Sequence, residues 1–219
     1  TERTEEIRKI GAFIPMTEEL LADVSAAQGY IDSRLRFMVN QTVSDQIIGG
    51  SGSGSNLTGI LNKSGINSFN FSSYSGNLKR IGQVFEAITE IQKDAFMQPD
   101  AILMHPSDWL QVVTEVNAVT TSGSLNPLFV GAGSFGNAVA PTLWGLPVVP
   151  STELTAGTCL VGVFGGGQAI HIVARQGMEV AMSDSHDENF VKDIVVMKAT
   201  VRMGLPIYRA TAFCKITNF

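Results

Sequence analysis

The chain has 219 residues, 44% hydrophobic and only 16% charged, enough for one or two globular domains whose core needs neither a metal nor a disulfide. Its 15 Lys+Arg against 20 Asp+Glu give a net charge of −5, without the basic excess or stripe of a protein whose main task is gripping nucleic acid. Apolar runs such as IVVM at 194–197 are far too short to cross a bilayer, and the charged opening TERTEEIRKI offers no signal-peptide core.

In chain order, residues 7–14 read as a strand that Pro15 is expected to stop. Thr17, with Glu18 and Glu19 in the first turn, then opens a helix. Leu20, Val24, Ala27, Ile31, Leu35 and Met38 recur three or four apart, with Val43 five further on, which predicts one helical stripe over 17–48. At 1.5 Å per residue it would reach about 45 Å, the length of a strut. GGSGSGS at 49–55 ends it and reads as a flexible exit.

Asn77 is expected to cap a further helix with Leu78, Ile81, Phe85, Ile88 and Ala95 on one face. DAILMHP is a buried-type strand, after which Pro106 opens a helix lined by Trp109, Val112, Val113 and Val116. A loop covers 117–138, and strands resume at WGLPVVPS and TCLVGVF. AIHIVAR is expected to turn through Gln176 and Gly177 into MEVAMS as a hairpin. DSHDEN then forms a solvated or partner-facing tip before the β-rich run 190–208, and TAFCKITNF closes the chain. The pattern is α+β: a strut helix and long strands, with a compact mixed module inserted between them.

Several stretches resemble chemical motifs and fail in detail. Gly131, Gly133 and Gly136 spell G-x-G-x-x-G, yet Pro141 follows too soon for the helix that a dinucleotide turn requires. Lys63-Ser64 lacks the P-loop glycines, whose places hold Asn62 and Leu57. Asp184, His186, Asp187 and Glu188 lack both metal-ligand spacing with the distant His105 and His171 and the interleaving of a calcium loop. G-x-S-x-G and S-x-x-K do not occur. Cys159 and Cys214 read as reduced core thiols; a disulfide between them needs their strands side by side. The residues thus assign no catalytic role, cofactor or metal, and point to function through shape and contact. A charged fraction below the usual share of about 25% suits extensive protein–protein contact.

RKIGAFIPMTEELLADV, IIGGSGSGSNLTGIL, PDAILMHPSDW, LWGLPVVPSTEL with GTCLVGVF, and ENFVKDIVVMKATVRMGLPIYRATAF occur in the order seen in major capsid proteins of tailed bacteriophages. The chain resembles that family over essentially its whole length. The resemblance implies the Hong Kong 97-type fold: a peripheral domain of 1–50 with the spine helix and 168–209 with long strands, and an axial domain of 51–167 closed by a strand at 210–219. It implies self-assembly into pentamers and hexamers around double-stranded DNA, as the virion capsid of a phage or prophage built in the bacterial cytoplasm. Scaffolding, portal and decoration proteins are the implied partners, with only non-specific DNA contact and no membrane. Alternatives are an encapsulin-like nanocompartment shell and, in a different class, a nucleotide-cofactor enzyme.

Candidate inter-subunit contacts are Asp184, His186, Asp187, Glu188 and Asn189 at the tip, and Gly131, Gly133, Ser134, Phe135 and Gly136 in an axial-domain loop. Family members usually carry an N-terminal arm and an extended hairpin before the first strand seen here, so 1–219 is expected to be a trimmed or partial chain that assembles poorly alone. Some members also cross-link a hairpin lysine to an asparagine in the late strands, aided by a glutamate seven residues on. The matching places here hold Asp193 and Thr200, which implies no isopeptide bond.

Overall fold

The structure, a computed structural model, describes residues 5–23, 27–73, 79–114, 116–118, 125–127, 142–185 and 189–219. In chain order its elements begin with β1 (Arg8–Thr17), α1 (Glu18–Asp23), α2 (Ala27–Gly49), β2 (Asn67–Asn70), α3 (Lys79–Ala95), β3 (Ala101–Met104) and α4 (Pro106–Val113). The strands β4 (Val116–Ala118), β5 (Leu125–Pro127), β6 (Thr142–Leu143), β7 (Leu146–Pro150), β8 (Thr158–Gly162), β9 (Val173–Ser183), β10 (Ile194–Gly204) and β11 (Phe213–Thr217) complete it. Two compact units result, 1–59 with 172–206 and 60–171 with 207–219.

In the first unit, alternation along the long strands puts one face of an antiparallel sheet, ordered β1-β10-β9, against helix. Met16, Met197 and Ala199 pack there on Leu35 and Val39 of α2, with Ile31 and Val43 beside them. Full burial of a side chain such as Leu35 is worth roughly 1.5–3 kcal/mol, so this stripe fixes α2 on the sheet. α2 spans 23 residues, about 35 Å. Of the single helix expected over 17–48, the structure describes α1 and α2; Val24 lies outside the described residues, and Leu20 is exposed.

Three expectations for this unit are corrected. Pro15 does not stop β1, which pairs on through Thr17 opposite Ile194. β1 lies at the sheet edge, where only alternate amides are engaged and a proline is tolerated. Gln176-Gly177 is no turn, because β9 runs through it. Between Glu179, opposite Thr200, and Gln176, opposite Arg202, β9 carries one extra residue, so Gly177 serves a bulge.

The glycine exit at 49–55 is pinned. Gly50 N–H donates to Gln46 O (3.1 Å), Gly59 N–H to Gly50 O (2.9 Å) and Gly52 N–H to Leu57 O (2.9 Å). Gln46 Oε1 accepts from Leu57 N–H at 3.1 Å. A Cβ on Gly50 would strike the carbonyls of Leu57 and Gln46, and one on Gly59 the amide of Gly50. Glycine is needed here for close backbone approach, and this knot ties residues 51–59 to the first unit.

The second unit is built on a mixed sheet ordered β2-β11-β8-β3-β7-β6. β2 runs parallel to β11 and β3 to β7, while the other pairings are antiparallel. β8 is central, with Cys159, Leu160 and Val161 fully buried, which accounts for its continuous apolar run. α3 packs on β8 and β11 through Ile81, Val84, Ile88, Ile91 and Ala95. Phe85, expected on that buried face, is half exposed. α4 begins at Pro106 as expected, with His105 Nδ1 accepting from Ser107 N–H at 3.2 Å as its cap. The stretch 117–138, expected to be loop, contributes to an antiparallel β4–β5 pair.

Candidate assembly surfaces

The β9–β10 connection of the first unit carries one group of expected contact residues. Asp184 is exposed. The Asn189 carbonyl closes the following turn by accepting from Lys192 N–H (3.2 Å) and Ile194 N–H (2.9 Å). Asp193 adopts φ +51°, a conformation that aspartate tolerates better than most residues, and its carbonyl accepts from Glu18 N–H at 2.9 Å. The turn presents Phe190 and Val191, 75% and 82% exposed. His186, Asp187 and Glu188 lie outside the described residues.

The sheet face turned away from α2 is the second surface of this unit. Its rows are Phe13–Lys198–Ala181, Gly11–Thr200–Glu179 and Lys9–Arg202–Gln176. Gly11 leaves space beside Thr200, since an added Cβ would lie 2.9 Å from Thr200 Cγ2. The result is a trough of about 560 Å³ whose lining includes Phe13, Ala181, Val196 and Lys198. Lys9 and Arg202 stand directly opposite each other, a like-charge placement that costs stability unless something anionic answers it.

The second unit offers an aromatic surface. Trp144 and Gly145 form the two-residue turn between β6 and β7, at φ +54° and +78°. A positive φ is strained for tryptophan. Two contacts hold it: Nε1–H donates to Ile81 O at 2.8 Å, and the ring meets Phe85 with centroids 4.8 Å apart. Both rings remain about half exposed. The other expected contact group, Gly131, Gly133, Ser134, Phe135 and Gly136, lies outside the described residues.

Cys159 and Cys214 occupy neighbouring strands, as a disulfide would need, yet both are free. Cys159 faces Ile216 and Cys214 faces Val161, so the thiols sit diagonally, beyond bonding reach. Burial pushes Cys214 up to about 12, with Glu90 and Glu86 adding to it, and raises Cys159 further, with Cys214 next in effect. Such thiols are inert. Among the described residues, no group of three His, Cys, Asp or Glu is placed to hold a metal ion.

Sequence reasoning missed the exposed Phe190-Val191 pair, which sits in a run that reads as strand. It also missed the Trp144 turn, for which the X-Gly dipeptide between two apolar runs was the available signal.

The surfaces point to contact with other chains, and comparison with known proteins agrees. The major capsid protein of Enterobacteria phage HK97 is 28% identical over 222 residues, covering 99% of this chain and 53% of that protein. The chain thus spans about half the length of that curated relative. The capsid of a native GTA particle, computed with C5 symmetry, matches with a TM-score of 0.72 at 16% identity, over 97% of this chain and 73% of that one. A chain of Mycobacterium phage Bobi gives 0.71 at 16% identity, over 97% and 72%. These likenesses show the Hong Kong 97-type capsid fold, α+β in class. The model of the phage capsid family matches residues 1–218. The chain belongs to the phage capsid family.

Proposed function

We propose that the chain is the shell-forming part of the major capsid protein of a tailed phage or prophage, with copies joining as pentamers and hexamers around double-stranded DNA. The observation that carries this reading is the family match over 1–218, and the HK97 relative favours the phage shell over the nanocompartment and enzyme alternatives. In this reading the unit holding α2 and the long strands is peripheral, and the unit holding the six-stranded sheet is axial. Self-contact is the central activity and no chemistry is required of it. Scaffolding, portal and decoration proteins are further partners, DNA contact is non-specific, and assembly takes place in the host cytoplasm. Sedimentation velocity on the full gene product tests it: discrete capsomer-sized or larger species support the reading, and a monomer at every concentration contradicts it.

A further inference from the structure

We propose that the trough on the outer face of the β1-β10-β9 sheet is the seat for the β9–β10 turn of a second copy of this chain, with Phe190 and Val191 as the inserted pair. The proposal rests on the shell reading and names the partner surface of one of its contacts.

Both halves belong to the same unit, and they complement each other in polarity. The turn presents two adjacent large apolar side chains at 75% and 82% exposure. Side chains so exposed gain by burial at roughly 25 cal/mol per Å², and an adjacent pair is a natural anchor for a shallow apolar recess. The trough supplies Phe13, itself 69% exposed, together with Val196 and Ala181.

Charge agrees with this pairing. The segment 184–193 has four carboxylates against one lysine. The sheet face presents Lys9, Lys198 and Arg202 beside the carboxylate of Glu179, and the side chains of these three cations make no ion pair or hydrogen bond with a described residue. An acidic turn approaching that face answers the otherwise unfavourable Lys9–Arg202 placement.

The turn does not fill its own trough. Asn189 O closes it through two amides, Asp193 O is held by Glu18, and Phe190 and Val191 stand in solvent. A second copy carries the same turn, and repetition of the contact between copies is a heterologous one, suited to closed rings.

The test uses the full gene product. Phe190→Ser and Phe13→Ser each remove an exposed ring, so thermal unfolding of the monomer is expected to stay unchanged while self-association weakens at least tenfold. The double variant is expected to be no weaker than the worse single one, because both act on one contact. In parallel, Val191→Cys and Ala181→Cys proteins are mixed and treated with a short bifunctional maleimide. Cross-linking between the two variants, above that of either alone, supports the seat. Normal assembly without that cross-link, or with the trough covered by another segment, overturns the seat and leaves the shell reading intact. Absence of self-association in the unaltered protein overturns both.

Discussion

Asp108 is 98% buried in the first turn of α4, and its Oδ2 accepts from Gly157 N–H at 2.7 Å. A carboxylate so placed gains from the amide and from the helix N-terminus, and deleting it strands a buried donor. Asp108→Ala is expected to cost about 2 kcal/mol in urea unfolding. Asp184→Ala, on the exposed tip, is expected to change stability by less than about 0.5 kcal/mol. The two aspartates look alike in sequence, because the Gly157 partner lies 49 residues away.

The cysteines give a second test at this scale. Unfolded thiols titrate near 9, and burial holds Cys214 protonated up to about 12 and Cys159 beyond it. With folded values raised, their stabilising contribution is complete below about pH 9 and is lost as pH rises from there through 12. Each thiol can contribute a loss of up to about 1.4 kcal/mol per pH unit in that window. Urea midpoints at pH 8, 9.5 and 11 are expected to fall, and the Cys159→Ala, Cys214→Ala double variant is expected to fall less steeply.

At the scale of elements, the knot at Gly50 and Gly59 is the sharpest case. Gly59→Ala places a methyl on the Gly50 amide and 2.8 Å from Ile48 O, with no flexible side chain to yield. A loss of about 3 kcal/mol in chemical denaturation is expected. Gly29→Ala in α2 meets nothing within 4 Å and is expected to gain up to about 1 kcal/mol.

Elements marked by short-range sequence signals were legible in the sequence. The α2 stripe, the Pro106 helix start and the buried run of β8 follow from local spacing. What local spacing could not reveal depends on distant partners. Gly177 reads as a turn until β10 is seen to pair on both sides of it, and Pro15 reads as a stop until β1 proves to be an edge. Both features also blunt the outer strands, since a bulge and a proline discourage unwanted strand addition.

At the scale of the whole molecule, family membership came from the order of segments spread over the entire chain. The exposure of Phe190 stayed hidden because it and the buried Phe213 are the same letter in similar runs. Covalent reinforcement is not expected. An isopeptide bond forms when a lysine amine displaces ammonia from an asparagine carboxamide. In the correspondence that the family resemblance implies, Asp193 would offer a carboxylate, a poor acceptor, and Thr200 would take the place of the assisting glutamate. Assembled particles are therefore expected to run as a single band on a denaturing gel, and a ladder of multiples would contradict this.

Negative-stain electron microscopy of the full gene product tests the shell reading most directly. The account predicts closed, regular particles with rings of five and six copies on their surface. A field of small, discrete globules at every protein concentration would contradict it.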